Sequence, residues 1–435
     1  MLDYSGEPHG VFFLIDSKSF YASVECVARG LDPLKTPLVV MSEQENTNGG
    51  LILATSPVAK KEFGLQSNVS RQRDLPQSED LFVVPPRMNL YIQCNLAINR
   101  IFQRYVAPED LWPYSIDESI LDITKSWHLF GQTTLDVAHQ IQKAVHDELG
   151  IWTTVGIGQN PVQAKLALDL FAKHNDVDRT GRLTYATFPD KIWPITDMTS
   201  VWSIADRTAA HLARMNIHSM YDLAHTNPYA LRQEMGLAGE QLFALAWGID
   251  RAHPAAPVRV HNRSISNSQV LPRDYKMPDE IELVIKEIGE QVASRLRHHH
   301  YQCGVVNLGV GFSYASAEED GRGGFHGALR IDPTNTNTEI VAALLQIFRR
   351  NWENQAVRNL YVSCGRITHD SGQQLSLLDS ITTQVKNVDL ERTVDEIRHR
   401  FGFTKLVYAA SKVHGGTAIE RASLVGGHNG GNAYD

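Results

Sequence analysis

The first strong hydrophobic feature is VFFLI at 11–15, an unbroken apolar run that stops at Asp16 and predicts a buried strand. The following SKSFYASVECVA spaces Phe20, Val24 and Val27 as one helix face, with Ser17 and Ser19 available as N-caps. Further on, LWPYSIDESILDI at 111–123 alternates: Trp112, Tyr114 and Ile116 share a face of one strand, and Ser119, Leu121 and Ile123 a face of the next. Asp117 and Glu118 fall at the join, which by itself reads as the solvated tip of a hairpin. Val137, Ile141, Val145 and Leu149 then recur every four residues, the mark of an amphipathic helix, and IWTTVGI at 151–157 predicts another strand.

The order βα then ββαβ matches a ferredoxin-like βαββαβ unit, interrupted after its first helix by about sixty residues. The insertion carries three apolar runs, LVVM at 38–41, LILATS at 51–56 and LFVVP at 81–85, enough for a small subdomain. In a sheet of this topology the first and third strands are central neighbours, so Asp16 is expected to approach Asp117 and Glu118. Beyond about residue 198 the pattern turns helical, and ADRTAAHLARMN and MYDLAHTNPYALRQEM suggest a helix-hairpin-helix. An α/β segment follows, with helices near 278–298 and 338–352 around the strand VVNLGVGF at 305–312, then a helix at 388–401 and a glycine-rich end expected to be mobile. The fold class is α/β (α+β).

Composition narrows the function. The chain has 435 residues, 43% of them hydrophobic, which suits several packed domains. It has no apolar run of membrane-spanning length and no signal-like start, so a cytoplasmic protein without a membrane partner is expected. Cys26, Cys94, Cys303 and Cys364 are widely separated and suggest neither zinc nor disulfides. Net charge is −8, yet between Arg251 and Lys276 five bases, including Arg259, Arg263 and Arg273, face only Asp274, a local +4. With RSISNSQ inside it, that stretch reads as a phosphate-contacting linker as readily as a solvated one.

Three carboxylates on adjacent strands repel one another unless a cation neutralises them. Mg2+ prefers oxygen ligands and leaves places for substrate phosphates, so such a cluster suits phosphoryl transfer. The same residues carry a family resemblance: VFFLIDSKSFYASVE, ILATSPVAKKEFG, VVPPRMNLYI, YSIDESILDI and VGIGQNPVQAKLAL, in this order, resemble the Y-family, or translesion, DNA polymerases, and most closely their UmuC-like branch from Gram-positive bacteria and plasmids. The resemblance implies a right-hand-like polymerase: palm at 11–28 and 87–197, fingers at 29–86, thumb at 198–250, a basic linker at 251–261, a DNA-binding little finger at 262–366 and a tail at 367–435. It implies Asp16, Asp117 and Glu118 as catalytic ligands of two Mg2+ ions, helped by the Ser17 backbone carbonyl. Glu118 would also hold the ion that acidifies the primer 3′-hydroxyl. Tyr21 takes the place of the steric gate under the deoxyribose. Phe20, Lys61 and Lys165 fall at nucleotide-binding positions, with Lys60 beside them.

The chain departs from the family pattern in two places: SIA stands before Asp206 and Arg207 where relatives commonly have GIG, and NPVQAK loses an earlier lysine while keeping Lys165. Arg259, Arg263 and Arg273 are the expected DNA contacts. Gln374, Leu375, Ser376, Leu377 and Leu378 resemble the peptide that docks on the bacterial sliding clamp, with Leu378 in place of phenylalanine. His298, His299 and His300, at the end of a predicted helix, are expected to cap it or face solvent rather than bind metal. The expected activity is error-prone, template-directed addition of deoxynucleotides to a primer on template DNA, in DNA repair of an SOS type, with a sliding clamp and an SOS accessory protein or recombinase filament as the partners the resemblance implies. A nucleotidyl cyclase or a non-catalytic DNA and clamp adaptor are the alternatives; the chain lacks a GGDEF stretch, and all three acids are intact.

Overall fold

The computed structural model describes residues 3–42, 50–253, 255–256, 260, 262–372 and 380–430. β1 (Phe12–Ser17) leads into α1 (Phe20–Val27), and the chain then forms β2 (Leu38–Met41), β3 (Ile52–Thr55), α2 (Pro57–Phe63) and β4 (Phe82–Val84). These three later strands make a separate sheet in the order β3-β2-β4, which packs Leu38, Val40, Ala54 and Val84 onto Ala22 and Cys26 of α1. The three apolar runs of the insertion are those three strands.

The chain returns through α3 (Met88–Phe102), β5 (Leu111–Pro113), β6 (Glu118–Asp122), α4 (Thr134–Leu149), β7 (Thr153–Gly158), α5 (Pro161–Leu170) and β8 (Thr180–Arg182). Its sheet has the order β5-β6-β1-β7-β8, the ferredoxin-like arrangement with β8 added in parallel at one edge. Both faces are covered, so β1 needs an unbroken apolar run rather than alternation. Phe13 and Ile15 join Leu121, Ile123, Val137, Ile141 and Val145 on one side, while Phe12 and Leu14 meet Ile120, Ala164 and Leu168 on the other. Each such fully buried side chain contributes about 1.5–3 kcal/mol.

The helical stretch differs from its sequence pattern. After α6 (Phe188–Ile192) and α7 (Asp206–Arg214), the expected single helix at 220–235 is divided into α8 (Met220–His225) and α9 (Pro228–Met235), followed by α10 (Leu237–Ala246). Pro228 cannot continue a helix with a free N–H, and Asn227 caps the new one by accepting from the Tyr229 N–H at 2.9 Å. Ser203 of the SIA sequence takes φ 74°, so a serine adopts the left-handed turn that glycine makes most easily.

The second large sheet contains β9 (Ile265–Tyr275), β10 (Tyr301–Phe312), β11 (Gly324–Thr334) and β12 (Val357–Gly365) in the antiparallel order β11-β10-β12-β9. α11 (Pro278–His298) and α13 (Asn337–Asn351) cover one face, while α12 (Tyr314–Asp320) fills the turn between β10 and β11. The other face is a field of small and polar side chains: Ser268, Tyr361, Gly309 and His326 align across the four strands, as do Ser266, Ser363, Asn307 and Ala328. His298 closes α11, and His299 and His300 follow it into solvent.

The glycine-rich end is a second departure. Beyond β13 (Thr368–His369) and α14 (Ile381–Phe401), the chain continues through α15 (Ala418–Arg421), β14 (Leu424–Val425) and β15 (His428–Asn429) packed against the rest of the protein. Glu287 of α11 accepts the N–H groups of Thr417 and Ala418, each at 2.9 Å, and Arg421 donates to Gln269 of β9 at 2.8 Å. Val425 then packs on the core of the first sheet, and the Asn89 N–H of α3 donates to the Gly430 carbonyl at 3.0 Å. Residues 403–430 are thus a strap from the second sheet to the first, not a free tail.

Candidate active site

Antiparallel pairing sets Asp16 opposite Glu118 on β6 and opposite Thr154 on β7. Opposed residues of such a pair lie on one face within about 4.5–5.5 Å, so like charges there cost stability. Asp117 lies in the turn before β6, not with Glu118 at its tip: Glu118 is the first residue of the strand. The turn is built by Ser115, whose hydroxyl donates to the Asp117 carboxylate at 2.6 Å and accepts the Glu118 N–H at 3.0 Å. The Ser17 N–H donates to the Asp117 carbonyl at 2.9 Å, fastening the turn to the end of β1.

α5 lies directly on β7 because Gly156 and Gly158 leave room for it. A Cβ on Gly156 would come within 2.1 Å of the Ala164 carbonyl, and one on Gly158 within 2.3 Å of the Ala164 nitrogen. That close seat brings Lys165 onto Glu118, with Nζ at 2.8 and 2.9 Å from the two carboxylate oxygens. Lys165 also lies 3.3 Å from Asp169, and its ring-face neighbour is Tyr114, 5.8 Å away. Lys173, in the turn after α5, reaches Asp16 at 3.2 Å, Asp169 at 3.1 Å and Glu118 at 3.4 Å.

Sequence reasoning missed Asp169 and Lys173. Their signal is the spacing Lys165, Asp169, Lys173, each four residues from the next, which places alternating charges along one helix face. It also placed Lys165 toward a nucleotide, whereas the side chain is buried on Glu118; the half-exposed cation at the acids is Lys173.

The electrostatics follow from these contacts. Burial pushes the Asp16 pKa up to about 7, the Lys173 ammonium opposes that rise, and the charges of Asp117 and Glu118 add to it. For Glu118 burial also favours the neutral acid, but the hydrogen bond and charge of Lys165 outweigh it and hold the carboxyl below its usual range. Burial disfavours the charged form of Lys173, yet Asp16, Asp169 and Glu118 keep its ammonium firmly protonated. Four carboxyl groups therefore face two ammonium groups, a deficit of positive charge that hard divalent cations suit. Among the described residues no three ligating side chains already surround one point, since the lysines stand between the acids. The oxygen donors have the chemistry that a hard divalent cation takes.

The other expected site residues separate into groups. Tyr21, in the first turn of α1, is part-buried with its ring stacked on Tyr91; burial and then the Asp117 charge raise its pKa. Phe20 instead points into the core at 3% exposure, which leaves its backbone rather than its ring for a ligand. Lys60 and Lys61 are exposed in the last turn of α2. Arg263 is exposed and donates to the Tyr301 hydroxyl at 2.7 Å. Arg273 is engaged within the protein, donating to Glu280 at 2.6 Å and stacking over Tyr275. Arg259 and Gln374 to Leu378 lie outside the described residues.

Comparison with known proteins places this arrangement. A family model described as the impB/mucB/samB family matches residues 15–169, and its C-terminal domain matches residues 262–377. The putative UV-damage repair protein UvrX of Bacillus subtilis is 36% identical over 98% of this chain and 100% of its own length. DNA polymerase IV 2 of the same organism is 34% identical over 96% of this chain and 98% of its own length. A solved Y-family DNA polymerase chimera superposes with a TM-score of 0.66 at 17% identity, covering 82% of this chain and 99% of that one, which shows a shared fold. With Asp16 and Glu118 paired on the adjacent strands β1 and β6, Asp117 in the turn beside them, and family models matching residues 15–169 and 262–377, the chain belongs to the impB/mucB/samB family of Y-family DNA polymerases.

Proposed function

We propose that the chain extends a DNA primer along a template by nucleotidyl transfer and copies past damaged bases. The observation that carries this reading is the register of Asp16 with Glu118, beside Asp117, on neighbouring strands at the centre of the first sheet. In this reading the first sheet is the palm, the β3-β2-β4 sheet the fingers, the α7–α10 group the thumb and the second large sheet the little finger.

Asp16, Asp117 and Glu118 would hold two magnesium ions, which would supply charge stabilisation to the phosphate and lower the pKa of the primer hydroxyl. The protein's own part is placement. Asp16, Asp117 and Glu118 provide the oxygen donors, with the Ser17 carbonyl beside them, and Lys165 keeps Glu118 ionised. Lys173 is released from the acids to meet the triphosphate, helped by Lys61 from the fingers. Tyr21 lies beneath the sugar of the incoming nucleotide, so a 2′-hydroxyl meets its ring.

The uncovered face of the second sheet receives the duplex. Its serine, asparagine and backbone groups suit phosphate oxygens, and Arg330 with Arg263 adds positive charge, so binding weakens with salt. Arg273, already paired with Glu280, serves to shape that sheet's edge. No helix among the described residues is long and apolar enough to cross a membrane, and a DNA substrate fits a cytoplasmic protein.

Gln374 to Leu378 form a clamp-docking peptide between β13 and α14, joined in the cell by SOS partners. Deleting those five residues is expected to abolish retention on an immobilised sliding clamp while synthesis on short primers continues; unchanged retention would remove the peptide from the account.

Primer extension on matched undamaged and abasic templates tests the function itself. Extension past both, dependent on Mg2+ and lost with chelator, is expected; extension on neither template refutes the reading.

A further inference from the structure

α1 and α3 are fastened together by two matched pairs. Tyr21 and Glu25 stand one turn apart on α1; Arg87, at the start of α3, and Tyr91 stand one turn apart opposite them. The two tyrosine rings stack with centroids 4.4 Å apart and planes 16° from parallel. The Arg87 guanidinium donates to Glu25 from Nε at 3.0 Å and from Nη2 at 2.6 Å. The Tyr91 hydroxyl joins the two pairs by donating to the Glu25 carboxylate at 2.7 Å.

Arg29 adds a third donor, bonding to the same carboxylate and to the Glu25 carbonyl at 3.0 Å. Glu25 and Tyr91 are both 0% exposed. Burial would favour the neutral acid, but Arg87, Tyr91 and Arg29 hold the Glu25 carboxyl below its usual range. The sheet formed by β2, β3 and β4 lies between Arg29 and Arg87 in the chain, so its outgoing and returning connections are tied to one carboxylate.

This geometry limits Tyr21. A tyrosine in the first turn of a helix has alternative rotamers, each of which moves its ring by several ångströms. Stacking on Tyr91 selects one of them, and Tyr91 is itself fixed by packing and by its hydroxyl. The paired, planar bonds of Arg87 give that support a defined direction as well as strength.

We propose that Glu25, Arg87 and Tyr91 are positioning residues for sugar selection, setting the height of the Tyr21 ring and coupling it to the seating of the β3-β2-β4 sheet. The inference rests on the reading of Tyr21 as the ring beneath the sugar. A loosened ring yields to a 2′-hydroxyl, so the signature is a gain: ribonucleotide insertion becomes more efficient, which general loss of stability cannot produce.

The test is single-nucleotide insertion by the full chain on an undamaged primer–template, comparing kcat/KM for a deoxynucleotide with that for its ribonucleotide. Tyr91→Phe keeps the ring and removes the hydroxyl; Arg87→Lys keeps a charge and removes the paired bonds; Tyr21→Ala is the reference. Both supporting variants are expected to raise ribonucleotide kcat/KM about three- to tenfold, less than Tyr21→Ala raises it, chiefly through KM. If Tyr21→Ala relaxes selection and neither supporting variant does, the inference is overturned. If Tyr21→Ala leaves selection unchanged, the reading of Tyr21 fails and the inference falls with it.

Discussion

Replacing Asp117 and Glu118 together by alanine is expected to lower single-turnover primer extension by at least about a thousandfold, with primer–template affinity changed severalfold at most. The size of the effect follows from what the two carboxylates do at once. They supply two of the three acidic donors at the site, and the charge of Glu118 holds Lys165 and, with Asp16 and Asp169, Lys173 in place. The second duty creates a cost: Glu118→Ala leaves the buried Lys165 ammonium with Asp169 alone, and breaking a buried ion pair costs about 3–5 kcal/mol. The pair Asp117→Asn and Glu118→Gln keeps the side-chain shape and one acceptor oxygen at each position, although the Gln NH2 cannot accept from Lys165 as the second Glu118 oxygen does. It is expected to lose extension as completely while its unfolding midpoint stays nearer the parent than that of the alanine pair. Residual extension above about a tenth of the parent rate in that pair would remove these carboxylates from the chemistry.

For Tyr21→Ala the expected result is a ten- to hundredfold rise in ribonucleotide insertion relative to deoxynucleotide insertion, about the 1–3 kcal/mol that overpacking of one small group costs. The ring cannot retreat when a 2′-hydroxyl arrives, because Tyr91 lies flat behind it and is fully buried. Tyr21→Phe retains the ring and the stack, so it is expected to keep selection close to that of the parent. Parallel competition assays with labelled ribo- and deoxynucleotides read both variants; equal selectivity in parent and Tyr21→Ala would return Tyr21 to a packing role.

Much of the site was legible because its strands are unusually explicit. VFFLI ends abruptly at Asp16, the hairpin strands alternate around Asp117, and the βαββαβ order alone makes the strands of Asp16 and Glu118 neighbours. The three runs of the insertion likewise announced three strands. What stayed hidden depended on contacts between distant segments. α3 carries Asn95 and Asn99, whose amides reach the Ile116 carbonyl at 2.8 Å and the Ser119 hydroxyl at 2.8 Å. These polar residues interrupt the apolar period, so no helix was assigned there. Lys165 was read from a motif, but the direction of its side chain is set by the close seat of α5 on Gly156 and Gly158. Beyond their spacing, nothing in the local sequence marks Lys173 and Asp169 as site residues; the fold brings Asp16 and Glu118 beside them. The glycine-rich end looked mobile because its partners, Glu287, Gln269 and Asn89, lie far away in sequence.

The same comparison explains the charge balance. Acids clustered in a sheet this well covered face an immediate penalty, which burial expresses as the raised pKa of Asp16. Lys165 and Lys173 offset part of it before any ion arrives. Lys165 is buried on Glu118 and Asp169, whereas Lys173 is more exposed and shared among Asp16, Asp169 and Glu118. In the proposed reading the first holds a ligand in its ionised state and the second exchanges partners when substrate enters.

The central claim is that Asp16, Asp117 and Glu118 together form a divalent-cation site. Its most direct test is a Mn2+ titration followed by electron spin resonance, with primer–template ending in a dideoxynucleotide and the matching deoxynucleotide present. The parent chain is expected to remove Mn2+ from the free-ion signal saturably, and the Asp117→Asn, Glu118→Gln pair to lose that uptake while still binding the DNA; equal uptake by both proteins would contradict the account.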